Sequence, residues 1–184
     1  MAYSTLRFML CALLIGMLSG CSLSKLSWSG LFGPSQPSAD ARWALLPFVN
    51  YTDQGDADEQ VERMITVLLP SHGIRQVNNF AKPASNKEAS FVNEAARLQN
   101  AKSWARKKAF DYYLSGEITE WQRGEENSQP VVTLSLTITS LADDDDEVIW
   151  TVSGTGTGKP GDTVYDTARG LLNTLMSSMP KVSD

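Results

Sequence analysis

Five consecutive carboxylates, Asp143-Asp144-Asp145-Asp146-Glu147, form the densest run of charge in this 184-residue chain. Between Asp111 and Glu147 there are ten acidic residues and a single basic one, Arg123. One reading is a soluble turn that keeps strand edges apart. The other is a charged surface that attracts a cationic ligand or meets a basic patch on a neighbour. Repeated around a ring, such charges would line a channel and focus its field. Trp150 alternates with Val148 and Val152, which predicts burial in a sheet, whereas Trp121 shares a predicted face with Tyr113 and Glu117, which predicts partial exposure. The acidic run, Trp121 and Trp150 are the candidate contacts for a polymer or a partner.

Catalytic equipment is sparse. His72 stands beside Pro70 and Gly73 with no His, Cys or carboxylate at ligand spacing, so it reads as a solvated or capping residue and no metal site is expected. Glu117 and Glu120 are three apart on a predicted strand and should face opposite sides, the wrong arrangement for a glycosidase pair. Gly154-Thr155-Gly156-Thr157-Gly158-Lys159 imitates a phosphate loop. However, Ser153 stands where Gly is needed and Pro160 where Ser or Thr is needed, so the segment reads as a flexible strand exit. There is no nucleophile elbow. The expectation is a protein that is not an enzyme and carries no cofactor.

The first twenty residues have the parts of an export signal: Arg7, an apolar run from Phe8 to Met17, then the small residues of Leu18-Ser19-Gly20 before Cys21. The run is shorter than the roughly 20 apolar residues that span a bilayer. Leu18-Ser19-Gly20-Cys21 resembles the lipobox of bacterial lipoproteins, which implies acylation of Cys21 and a stable lipid anchor. Ser22 follows the cysteine where retained inner-membrane lipoproteins carry Asp, so the resemblance implies the periplasmic face of the outer membrane. Cys11 leaves with the leader, so no disulfide is expected in the mature chain.

Removing Arg7 shifts the balance from 16 basic and 21 acidic residues to 15 and 21, a net of −6. That excludes nucleic acid and anionic head groups as natural partners. Residues 21–41 read as a lipidated linker around Gly33-Pro34-Ser35-Gln36-Pro37-Ser38, with a reach of about 25 Å. Within it, Trp28, Leu31 and Phe32 would either dip into the membrane interface or dock on the domain.

Residues 42–184 read as one periplasmic domain. Trp43–Val49 is an apolar strand with Pro47 at an end or bulge. Asp58 opens a helix with Val61, Met64, Ile65, Leu68 and Leu69 on one face, and Pro70 and Gly73 end it. A thin strand at 74–80 precedes a helix at 93–109 that packs Leu98, Ala101, Trp104 and Ala105. Strands near 111–122, 130–142 and 147–155 follow, then a helix at 162–179. The order β-α-β-α-β-β-β-α predicts an α/β (α+β) fold, a mixed, mostly antiparallel sheet flanked by helices.

Trp43 to Asn50 resembles the first strand of envelope lipoproteins that share a fold with the TolB amino-terminal domain, LpoB and CsgG. Together with Tyr113 to Trp121 and Val148 to Gly154, it is more specifically similar to PelC, the outer-membrane lipoprotein of Pel exopolysaccharide export. The resemblance implies a homo-oligomeric ring whose acidic surface guides a cationic polysaccharide to an outer-membrane export pore. The alternative is an LpoB-like activator of a peptidoglycan synthase, against which the short linker argues.

Overall fold

The apolar run from Trp43 to Val49 does not form one strand. It folds as β1 (Trp43–Leu45) and β2 (Val49–Asn50), because Pro47 has no amide hydrogen to give a ladder. The amides beside it find other acceptors. Leu46 N donates to the Leu114 carbonyl at 2.9 Å, and Phe48 N to the Glu62 carboxylate at 3.0 Å. The computed structural model describes residues 36–38, 40–81, 91–124, 128–142 and 146–182.

After β2 come α1 (Ala57–Leu68), a 3-10 turn at Leu69–His72, β3 (Val77–Asn79) and α2 (Phe91–Lys107). Then follow β4 (Tyr112–Gln122), β5 (Val131–Ser140), β6 (Glu147–Thr157) and α3 (Val164–Met176). The sheet order is β3-β1-β4-β5-β6, with β2 also paired to β4. β1 runs parallel to β3 and β4, while the two long hairpin ladders β4–β5 and β5–β6 are antiparallel. This is the expected α/β class, mostly antiparallel, with the first strand split in two.

One sheet face carries Leu114, Ile118, Val132, Leu134, Leu136 and Ile138 into a core shared with Val61 and Ile65 of α1 and Ala168 and Leu172 of α3. The other face holds a smaller core, where Ala44, Leu46 and Tyr113 meet Ala101 and Ala105 of α2. The 3.6-residue apolar stripe of α3 therefore ends where expected, against the sheet. A capping box starts that helix: Asp166 N donates to Thr163 Oγ1 at 3.1 Å, and Thr163 N to Asp166 at 3.4 Å.

The glycine run is not a strand exit. Gly154 and Gly156 lie inside β6, paired with Leu134 and Val132 of β5. Their period of two puts both under α3, where an added Cβ would lie 3.0 Å from Leu175 and 3.1 Å from Leu171. Lacking side chains, they let α3 lie directly on the strand.

The helix expected to open at Asp58 starts one residue earlier, at Ala57, and Asp58 is buried as its second residue. Its partner is Arg97 of α2, which reaches Asp58 at 2.9 Å and Glu62 at 3.3 Å. Glu94 of α2 accepts from the Asn50 amide at 2.7 Å. These carboxylates join both helices to the split strand.

Two substitutions test this packing. Arg97→Met leaves Asp58 and Glu62 without their cation and should cost about 3–5 kcal/mol, measured by urea unfolding. Gly156→Val should cost about 1–3 kcal/mol by forcing α3 off β6, with a lower Tm and an unchanged far-UV spectrum.

Candidate functional site

Of the acidic run, Asp143, Asp144 and Asp145 lie outside the described residues, as does Cys21; Glu147 begins β6 and Asp146 immediately precedes it. Asp146 is tied down. Its carboxylate accepts from the Arg106 guanidinium of α2 at 2.6 Å, and the Tyr113 hydroxyl lies 3.5 Å from its other oxygen. The basic end of α2 thus faces the base of the acidic hairpin, while Glu147 remains exposed. With Asp146 and Arg106 both partly exposed, the ion pair contributes at most about 1 kcal/mol. Its effect is to hold the start of β6 in place.

Tyr113 is 2 % exposed. Burial raises its pKa above 10.0, the neighbouring Asp146 carboxylate adds to that shift, and Thr139 and Arg106 oppose it.

Two β-bulges change which side chains share a face. On β4 the register slips between Ile118 and Glu120, so Trp121 stands opposite Val132, on the face of Ile118 and Leu134. Trp121 is accordingly buried at 4 % exposure, with its ring 6.0 Å from that of Tyr165, and does not share the face of Tyr113 and Glu117. The same slip puts Glu120 opposite Thr133 and Glu117 opposite Ser135. These two glutamates therefore share one face instead of facing opposite sides. Glu120 accepts from Thr133 at 2.9 Å and Gln122 at 2.8 Å.

On β6 the slip at Ile149 separates Val148 from Trp150. Trp150 stands opposite Ile138 and is half-buried against the larger core, as its sheet position predicts. Val148 leaves that face and is 58 % exposed. Single-residue alternation gives no sign of an extra residue in a strand, so both slips escape a reading of the sequence.

The sheet face away from α1 and α3 is rich in hydroxyls. Thr133 bonds Thr155 at 2.9 Å and Thr137 bonds Thr151 at 3.1 Å across β5 and β6. At the far end of β4 from the acidic hairpin, a hollow of about 730 Å³ is lined by Tyr51, Asp53, Glu120, Gln122 and Arg123, among others. Tyr51 is 48 % exposed there. An aromatic ring, two carboxylates, an amide and the arginine Arg123 suit a hydroxylated ligand. The sequence reading missed this hollow because the β2–α1 loop and β4 meet only in the fold.

His72 is half-buried in the 3-10 turn after α1, away from any ligand set. Among the described residues no three His, Cys, Asp or Glu side chains cluster as a metal site, and no helix is long and apolar enough to cross a membrane.

No family model and no curated protein matches the chain in sequence. Solved structures do match its shape. The PelC dodecamer from Paraburkholderia phytofirmans overlays at TM-score 0.61 and 22% identity, covering 82% of this chain and 96% of the PelC chain. A leucine-to-methionine variant of that PelC gives 0.63 and 24%, covering 83% and 95%. The domain has a PelC-like fold. The LpoB C-terminal domain from Salmonella enterica overlays at 0.44 and 14%, covering 70% of this chain and 97% of that one.

Asp146 and Glu147 lie at one end of β4 and the Tyr51 hollow at the other, about 30 Å apart for an eleven-residue strand. They are two separate surfaces.

The Tyr113 corner has a pH signature. Folding holds the phenolic proton more tightly than the unfolded chain does, so the associated stability is complete below pH 10.0 and is lost as pH rises through the elevated value. Tyr113→Phe should lose less stability than the parent on titration above that pH, measured by urea unfolding.

Proposed function

We propose that this chain is a non-catalytic lipoprotein of the outer membrane that assists export of an exopolysaccharide. In this reading residues 1–20 are its leader, residues 21–41 its lipidated tether through Cys21, and residues 42–184 its periplasmic domain. The domain acts as a ring of identical subunits, with acidic residues drawing a cationic polymer toward an export pore. The observation that carries this is the overlay on PelC dodecamers along nearly the whole PelC chain. The ten-to-one acidic excess between Asp111 and Glu147 and the polar Tyr51 hollow support it.

The hairpin geometry sharpens the electrostatic part. Asp146 is engaged by Arg106, so the guiding role falls to Asp143, Asp144, Asp145 and Glu147. Long-range attraction of a polycation depends on total charge and is screened beyond about 8–10 Å at physiological salt.

Light scattering on lipid-free residues 22–184, at several protein and salt concentrations, should give one discrete large oligomer. A monomer at every concentration would favour the synthase activator instead. The triple substitution of Asp143, Asp144 and Asp145 by Asn, with Asp146 kept, should leave assembly intact and reduce polymer export several-fold. Unchanged export from an intact ring would refute the guide.

A further inference from the structure

We propose that the hollow around Tyr51 is a saccharide-binding site that holds one sugar unit of the exported polymer, its ring face on Tyr51 and its hydroxyls on Asp53, Glu120 and Arg123. The inference rests on the export reading for the source of the sugar, and it names the contact at which the chain grips that sugar.

Three large hydrophobic side chains are exposed among the described residues, Tyr51, Val67 and Val148, and of these only Tyr51 is aromatic. It also stands in a concavity. The hollow of about 730 Å³ has the size of a small-ligand pocket, but most such pockets are lined by apolar side chains. Here the lining around the ring includes Thr52, Asp53, Glu120, Gln122 and Arg123, which disfavours an apolar ligand. A sugar has both characters. Its C–H face packs on an aromatic ring, and its rim of hydroxyls needs donors and acceptors placed around that ring.

Both walls of the hollow are fixed by the fold itself. On the loop after β2, Tyr51 N donates to the Ile118 carbonyl at 2.9 Å. The buried Asn50 closes that turn. Its Oδ1 accepts from N and Oγ1 of Thr52 at 2.9 and 2.7 Å, and its Nδ2 donates to the Gln54 carbonyl at 2.6 Å. On β4 the slip after Ile118 sets Glu120 opposite Thr133, off the core face. Its carboxylate accepts one bond on each oxygen, from Gln122 on Oε1 at 2.8 Å and from Thr133 on Oε2 at 2.9 Å. A carboxylate offers about four acceptor positions, so about two remain for ligand hydroxyls. Groups fixed in this way lose little freedom on binding.

The charge of the lining distinguishes this site from the acidic hairpin. Asp53 and Glu120 are offset in part by Arg123, so recognition here acts through contact and hydrogen bonds and does not need a cationic sugar. An acidic sugar is disfavoured by the two carboxylates and by the chain's net charge of −5. Glu120 also joins the hollow to the hydroxyl-rich sheet face, since Thr133 bonds Thr155 of β6 at 2.9 Å. That row gives further hydroxyl partners to the units adjoining the one held on Tyr51.

The test uses the detergent-extracted full chain and two probes that share a backbone and differ in charge, a chitosan oligomer and its N-acetylated form. Titration calorimetry should show both binding, the uncharged form with equal affinity at low and high salt. Tyr51→Ala should weaken both at least about tenfold, and Tyr51→Phe should keep most of the affinity. The same Tyr51→Ala variant should export less polymer while its Tm and oligomeric state match the parent. Failure of both probes to bind would overturn the site, and so would binding that Tyr51→Ala leaves unchanged; the export reading survives either result if deleting the chain still abolishes export. Binding of the amine-bearing probe alone, abolished by salt, would place the contact on the acidic run and overturn the hollow. Unchanged export from Tyr51→Ala, with retention on isolated peptidoglycan lost, would assign the sugar to the cell wall and overturn the polymer. A chain that binds both probes through Tyr51 but whose deletion leaves export untouched would refute the export reading and leave the saccharide site standing.

Discussion

The buried guanidinium of Arg97 is the constraint on which the arrangement of this domain most depends. It joins Asp58 and Glu62 of α1 to α2, while Glu62 also accepts the amide of Phe48 and Glu94 that of Asn50. The split first strand needs those acceptors, because Pro47 removes it from the ladder for several residues. Burying such charges is costly, and the Nε of Arg97 has no acceptor, so the network is a weak source of net stability. Its effect is positional. Among the described side chains of α2 only Ala101 and Ala105 are wholly buried, with Leu98 and Trp104 half-buried beside them, a face too small to fix the rotation of the helix firmly by itself. A planar fork held between two carboxylates fixes it well.

The same contrast explains what the sequence revealed. Where apolar residues recur at a regular period, the elements were legible: Val164, Ala168, Leu171, Leu172 and Leu175 are all buried along α3, as the helical spacing requires. Leu134, Leu136 and Ile138 line the core from β5. Charged residues within an apolar stripe resisted interpretation. Asp58 lies one turn before Val61 on the buried side of α1, yet an acidic residue near a helix start is ordinarily an exposed partner of the dipole. Only the distant Arg97 gives it another role.

The bulges set a second limit. Alternation assigns every residue of a strand to a face from a single phase, and one inserted residue reverses the phase beyond it. At Thr119 this reverses Glu120 and Trp121; at Ile149 it separates Val148 from Trp150. The acidic run was legible as composition, but the tie between Asp146 and Arg106 requires β6 to start beside the end of α2. That juxtaposition comes from the topology.

These displacements bear directly on function. Without the bulge on β4, Trp121 would lie on the polar face and Glu120 would turn into the core. With it, the tryptophan completes the core and the glutamate joins the hydroxyl-rich surface. Without the bulge on β6, Val148 would pack inward, and the edge strand would expose no large apolar side chain at its start. The local irregularities therefore give a symmetric-looking sheet two unlike ends: one acidic, with a valine exposed beside the charge, the other a polar hollow around Tyr51. A subunit whose two ends differ can meet a second copy head to tail, and contacts of that kind close into a ring where the rotation between copies permits. In a closed ring of such subunits every copy would present its acidic residues in the same orientation, so their fields would add around the axis instead of cancelling.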